Sequence, residues 1–439
     1  LSRGLGDVYK RQDTWDQIKD LVAMVDMKME ELDKPKMSFF EVLTAMAIWK
    51  FADAPVDVAI VEVGMGGRWD ATNVLDADAA IIGPIDMDHM AWLGNTVEQI
   101  ASEKVGIIKP GCTAVIGRQP HEEAVMPIIE EAARQNHANL VRDGIEAEVV
   151  TRIPAVGGQV ATLRTPNGTY AEVPIAKFGE HQAHNALAAL CAAEVVIPVN
   201  GALDGDLVAE ALSTVRIPGR IEQIRTSPTI ILDGGHNVNA AESLRAAIEE
   251  NYDFQQLVGV IAMMGDKQVE EYLGVLEPLL SHVVVTENSW RDRVMPAEDL
   301  KTVAERVFGA ERVTCVPELP DAIQEAVNMV DADDELGVGY GHGVLICGSF
   351  TTAGDARLML EEKVNPDLKK PKSERVFQEA VEPEPRKDQD EADLDFESDA
   401  NPDFDINDFG SVGPDLAEDE DADASEVEHA DAASSEDVR

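Results

Sequence analysis

The sequence predicts an α/β fold built on parallel sheets, and three observations carry that prediction. Short β-branched runs alternate with helical patterns through residues 13–370. Several runs stop at glycine- and aspartate-rich turns, where open parallel sheets take their ligands beyond the carboxyl ends of the strands. A hydrophobic fraction of 44% in 439 residues supplies enough apolar side chains for two or three packed domains.

Residue 1 is Leu, not Met, and residues 1–12 (LSRGLGDVYKRQ) show neither apolar periodicity nor continuity with the residues after them. A non-native or disordered start, cut from inside a longer reading frame, is expected there. Residues 38–52 place apolar groups at helical spacing behind Ser38, with Glu41 where a capping box needs it. Val56–Val63 reads as a buried strand ending at the glycine turn GMGGRWDATN. A second strand, Ala79–Ile85, ends at DMDH; a helix capped by Thr96 and the strand Thr113–Gly117 come next. Residues 140–178 alternate loosely and suggest an antiparallel subdomain, and a helix over His184–Val196 comes after it. IPGR, within Arg216–Arg220, reads as a linker that divides a central domain (13–218) from a C-terminal one (219–370). The second domain has strands at Ile230–Asp233, Leu257–Met263, His282–Val285, Arg312–Val316 and Val344–Cys347, the order of a doubly wound domain of Rossmann type.

The chain carries 84 acidic against 36 basic residues, a net charge of −48. Residues 373–439 hold 25 acidic and 4 basic residues, so −21 belongs to them and −27 to the rest. Low hydrophobicity and like-charge repulsion predict a disordered acidic tail over 371–439. The balance excludes duplex nucleic acid and anionic membranes as partners, because both require basic surface. No apolar run reaches the roughly 18 residues of a membrane helix. The four cysteines lack CxxC spacing, which fits reduced thiols and a cytoplasmic location.

Four polar clusters fall at strand ends. Glu62 lies in VAIVEVG, where a buried carboxylate needs a cation: an ion pair, or Mg²⁺ with its preference for oxygen donors. His89 ends DMDH, and Lys104 lies fifteen positions on in SEKVGIIKPG; each alone reads as an ordinary structural or surface residue. The turn after Val63 is not GxGxxG, and no GxxxxGK[ST] segment occurs anywhere in the 439 residues. LDGGHN (232–237) ends a strand and opens a helix; its N–H groups suit an anion, with Asp233 and His236 as acceptor and donor, or Asp233 is a helix cap. FGEHQAHNALAA (178–189) sets polar residues, Asn185 among them, before an Ala-rich helix.

VEVGMGGRWDATN, DMDHMAWLGNTVEQIASEKVGIIKPG, FGEHQAHNALAA, IPGRIE, LDGGHN and CGSFTTAGDARLML, in that order over about residues 38–360, resemble the bacterial folylpolyglutamate synthase/dihydrofolate synthase family of the Mur ligase superfamily. The resemblance implies a Mur-ligase-like central ATPase domain with a parallel sheet and a Rossmann-like C-terminal domain. It implies ligation of L-glutamate to dihydropteroate or to folates, with ATP as co-substrate and two Mg²⁺ ions. Glu62, His89 and Lys104, the last as a carbamate, match metal-binding positions. Asn185, Arg220 and Asp233 match ATP contacts; Asp70 and Asn73 match the loop facing the reacting groups; His236 and Ser349 match positions near the incoming glutamate. Lys104, Asp70 and His236 are the implied catalytic residues, and a monomer with small-molecule partners is the implied state. Residues 313–343, with VDADDELGVGYGHG, look less like the family and are expected to be loop-rich.

The family's GTNGKGS-type phosphate loop and SPHL-type folate loop, which precede the Glu62 strand, are not present. An N-terminally truncated copy, inactive as written, is therefore expected. Two other readings stand beside it: another Mur-type ligase, such as a UDP-muramoyl amino-acid ligase, and a non-catalytic ATP-binding remnant.

Overall fold

The computed structural model describes residues 4–54, 56–198, 201–332 and 341–364, all within one compact unit, Leu1–Val376. The acidic tail lies outside the described residues.

Two helices open the chain, α1 (Gly4–Glu31) and α2 (Phe39–Asp53). Helix α1 runs back to Gly4, where the sequence suggested no structure: Thr14, Ile18 and Val22 recur every four residues and are buried, so one face binds the helix to α2. Helix α2 starts as read, with Ser38 Oγ accepting from Glu41 N and the Glu41 carboxylate accepting from Ser38 N.

Residues 56–63, read as a buried strand, form no strand; the segment is exposed, with Ile60 93% accessible. A strand exists only where a neighbour pairs its N–H and C=O groups, and among the described residues none pairs with this one. Strand β1 (Ala79–Ile82) is left as the edge of a parallel sheet. After β1 come α3 (Met90–Leu93) and α4 (Val97–Lys104), the latter capped by Thr96 as expected. Strand β2 (Thr113–Ile116), α5 (Glu122–Gln135) and β3 (Asn139–Arg142) complete the sheet, in the order β1-β2-β3. The antiparallel subdomain is β4 (Glu148–Ala155), β5 (Gly158–Arg164) and β6 (Thr169–Ile175). Helix α6 (Glu180–Val196) packs between that sheet and β1–β2, and α7 (Gly205–Thr214) comes next. A buried carboxylate, Glu194, joins α6 to the hairpin by accepting from Thr165 Oγ1 (2.8 Å), Asn167 Nδ2 (3.0 Å) and Tyr170 OH (2.6 Å).

The linker is fastened at both ends. Lys177 Nζ donates to Ile217 O (3.0 Å), and Gly234 N donates to Gly219 O (2.8 Å). Beyond it lies a six-stranded sheet of β7 (Glu222–Thr226), β8 (Thr229–Leu232), β9 (Gln256–Ile261), β10 (His282–Glu287), β11 (Val313–Glu318) and β12 (His342–Cys347), in the order β11-β10-β9-β12-β8-β7. All pairs are parallel except β7–β8, an edge hairpin the sequence reading missed. Helices α8 (Val238–Asn251), α9 (Val269–Leu276), α10 (Ala297–Phe308), α11 (Leu319–Ala332) and α12 (Phe350–Val364) cover both faces, which is why the strands read as unbroken apolar runs. Each buried Val, Leu or Ile contributes about 1.5–3 kcal/mol. The loop-rich expectation for 313–343 fails over residues 313–332, where β11 and α11 are regular; 333–340 lie outside the described residues.

Candidate active site

The glycine turn after residue 63 is folded by its own carboxylate. Asp70 Oδ1 accepts from Thr72 N (3.0 Å) and Thr72 Oγ1 (2.6 Å), and Oδ2 accepts from Met65 N (2.9 Å). Burial pushes the Asp70 carboxyl up, but these bonds outweigh it and hold the group below the usual carboxylate range. A Cβ at Gly67 would lie 2.7 Å from Glu103 O and 2.9 Å from Lys104 O, so the turn can lie against the end of α4 only because this residue has none. Asn73 also serves the loop: its Nδ2 donates to Arg68 O (3.0 Å) and its carbonyl accepts from Lys109 Nζ (2.6 Å).

Around DMDH, a set of charges from both sheets meets. His89 is in the left-handed region (φ 50°) at the start of α3. Asp88 Oδ1 accepts from Lys267 Nζ (2.8 Å), and Oδ2 lies 3.3 Å from Asn237 Nδ2 and 3.6 Å from His236 Nε2. Burial raises the Asp88 pKa, but His236 and Lys267 pull it well below the ordinary value. Lys104 is pushed down by burial, against the pull of Asp88. His89 is lowered as well, by burial first, with Lys104, Lys267 and His236 adding to it against Asp88. Sequence reading missed Asp88 and Lys267; the DMDH and MMGDKQ segments at strand ends were the available signals.

Glu62 needs a correction. It was read as a buried strand carboxylate in need of a cation, but it is exposed on the unpaired segment, so no burial demands a partner. Among the described residues no three His, Cys, Asp or Glu side chains are grouped to hold a metal.

Replacing Asp88 with Asn is expected to cost about 1–2 kcal/mol, because Lys267 is left mostly buried without its counter-charge. The folded Asp88 pKa lies below the unfolded one. Its contribution is therefore present above about pH 4 and is lost as pH falls through the folded value. Denaturant titrations at neutral and acid pH check this; a variant as stable as the parent at neutral pH would remove the ion pair from the account.

On the C-terminal side, Asp233 is buried and its two oxygens accept from Gly235 N (2.8 Å) and Ile221 N (3.0 Å). The carboxylate thus ties the linker to LDGGHN. Helix α8 is capped not by Asp233 but by Asn237, whose Oδ1 accepts from Ala240 N. Tyr272 OH donates to Gly235 O (3.1 Å) from beneath. The Arg220 guanidinium lies 4.3 Å over the Phe350 ring, and the His236 ring is 6.0 Å from it on a tilted plane. Ser349 is buried at the start of α12, its Oγ accepting from Thr351 N.

A cavity of about 620 Å³ opens between α6 and α8. The β1 and β2 ends contribute Gly83 and Arg118, α6 contributes His184 and Asn185, and α8 contributes Asn239 and Glu242. Asn185 Nδ2 lies 3.5 Å from Gln182 Oε1. The fold therefore brings His89, Lys104 and His236 together around Asp88, sets Asp233, Arg220 and Ser349 around the LDGGHN turn and Phe350, and places Asn185 in the cavity; Glu62 joins none of these groups.

Comparison with known proteins gives two family matches. The profile of the Mur ligase middle domain matches residues 14–193, and that of the Mur ligase glutamate ligase domain matches residues 219–350. Dihydrofolate synthase/folylpolyglutamate synthase of Mycobacterium tuberculosis is 43% identical over 362 residues, covering 79% of this chain and 74% of that protein. Among solved structures, Mycobacterium tuberculosis folylpolyglutamate synthase complexed with ADP and AMPPCP is similar at a TM-score of 0.75 and 43% identity, covering 80% of this chain and 78% of that one. Escherichia coli FolC in complex with DHPP and ADP matches at a TM-score of 0.63 and 27% identity, covering 75% and 72%.

Proposed function

The chain belongs to the dihydrofolate synthase/folylpolyglutamate synthase family of Mur ligases, which are ATP-dependent ligases, and on that premise we propose that its site joins L-glutamate to dihydropteroate, to the γ-carboxyl of folate polyglutamates, or to both. The observation that carries this reading is the pairing of a cavity of nucleotide size with the cluster of Lys104, His89, His236 and Lys267 at the carboxyl ends of two parallel sheets.

The chemistry is set by the substrates. A carboxylate does not react with an amine, so it first attacks the γ-phosphorus of ATP, giving an acyl phosphate and ADP. The glutamate amine then adds to the activated carbonyl, and the tetrahedral intermediate collapses to the amide with loss of phosphate. Asn185, which lines the cavity, would meet the adenine, and Arg220 and the Asp233-fixed turn would meet the phosphates from the second sheet. His236 and Ser349 sit at the opening of α8 and α12, where the glutamate would enter. Asp70 and Asn73 hold the glycine loop in shape and act by positioning it. Closure of the second sheet over the first keeps water from the acyl phosphate.

Two Mg²⁺ ions would supply charge neutralisation at the phosphates. His89 and Lys104 fit that role. The depressed Lys104 pKa enlarges the neutral amine fraction, the form that adds carbon dioxide to become an anionic oxygen donor. Glu62 would have to be carried in on a strand laid along the free edge of β1.

The test places a strand, a GTNGKGS-type loop and a helix before residue 13 and monitors phosphate release. Release that requires dihydropteroate or a folate, ATP and L-glutamate together supports the proposal. Turnover of a UDP-sugar peptide, with no turnover of pteroates, would assign the chain to another Mur branch.

A further inference from the structure

One histidine in the cavity is held in a fixed orientation by a carboxylate outside it. His184 lines the cavity beside Asn185, and its Nδ1 lies 2.5 Å from Asp143 Oδ2. Asp143 is not in the cavity wall; it lines a separate hollow of about 210 Å³ beyond Gly117 and Arg118. Nδ1 is thus engaged by Asp143, and Nε2, 3.6 Å from Glu180 Oε1, makes no hydrogen bond among the described residues, on a side chain that lines the cavity. An ionised carboxylate only accepts, so Nδ1 must carry a proton. The neutral ring then offers Nε2 as an acceptor, whereas the imidazolium offers it as a donor.

We propose that His184 reads the purine base, favouring a 6-amino group when neutral and a 6-oxo group when protonated, and that Asp143 is the positioning residue that fixes its tautomer. The inference rests on the reading of this cavity as the base site of ATP. Adenine presents an amino donor at position 6, and hypoxanthine presents a carbonyl acceptor at the same place. A group that can only accept or only donate therefore discriminates between them.

The charged and titratable neighbours are Asp143 after β3, Arg118 after β2, Glu180 and His181 on α6, and Glu242 across the cavity on α8. The hydrogen bond to Asp143 raises the His184 pKa, against burial and Arg118. Burial holds the neighbouring His181 down at about 4, so it stays neutral while His184 titrates.

The experiment is calorimetric titration of ADP and IDP into the 439-residue chain, without Mg²⁺, from about pH 5.5 to about pH 8, the span in which a histidine changes charge. The two diphosphates titrate alike, so their effect cancels in the ratio of affinities. The ADP/IDP ratio is expected to rise on the order of tenfold with pH, the worth of one hydrogen bond gained against one lost. His184→Phe should flatten the ratio. Asp143→Asn should move its midpoint to lower pH, and this variant carries the test should His184→Phe not fold. Asn185→Ala should weaken both nucleotides without altering the trend. A flat parental ratio, or unchanged profiles in the His184 and Asp143 variants, overturns the inference; if Asn185→Ala still weakens binding, the nucleotide reading stands. Undiminished binding of both nucleotides by Asn185→Ala removes the base site, and the inference with it.

Discussion

Assayed alone with Mg²⁺, ATP, dihydropteroate and L-glutamate, the 439 residues are expected to release no phosphate above background. The ligase reaction begins with transfer of the γ-phosphoryl group, and its acceleration comes from groups that hold and neutralise the phosphates. A GxxxxGK[ST] loop supplies backbone N–H groups and a lysine for that purpose. No such segment occurs in the chain, which lacks even one Gly-Lys pair. Among the described residues the edge of β1 is also open, and the segment that carries Glu62 is unpaired. Loss of preorganised phosphate contacts costs on the order of a thousandfold or more in rate. Phosphate release that depends on all three substrates, from the 439 residues by themselves, would refute this.

Replacing Tyr272 with alanine is expected to destabilise the C-terminal sheet by about 3–5 kcal/mol, a fall in midpoint of roughly 10 °C. Tyr272 is wholly buried on α9 among Leu244, Ile261, Leu276 and Leu345. Its ring fills space that close-packed neighbours cannot collapse into. Its hydroxyl also supports Gly235 O in the LDGGHN turn. Tyr272→Phe separates the two contributions: it keeps the ring and is expected to cost about 1 kcal/mol. Thermal unfolding of both variants is the measurement; equal losses would mean that the hydrogen bond, not the packing, carries the stability.

These residues also show what a single sequence discloses. The capping box at Ser38 and Glu41, the Thr96 cap and the apolar strands of the second sheet are local patterns, and they appear where they were read. The segment 56–63 carries a sound strand pattern too, but a strand requires a partner, and its own residues say nothing about whether one is there. Helix α1 was missed because its buried face is only one residue in four. The site's ion pairs were invisible for another reason. Lys267 and Asp88 are 179 positions apart, and His184 and Asp143 are 41 apart, so no spacing rule links them. His89, Lys104 and Asn185 were singled out through family resemblance, since each of these residues read alone is ordinary; Glu62 also drew notice by its place in an apolar run.

The fastened linker has a mechanical consequence. Ile217 is held by Lys177 on the side of the antiparallel sheet, and Gly219 is held by Gly234 on the side of the C-terminal sheet. One residue, Pro218, lies between the two anchors, and its ring locks φ. Any swing between the two halves must turn on the few torsions left free there, so it approximates rotation about one short axle rather than a loose drift. In such a swing Arg220, two residues past the axle and held to the C-terminal half through its place beside Phe350, would travel like a spoke along a set arc.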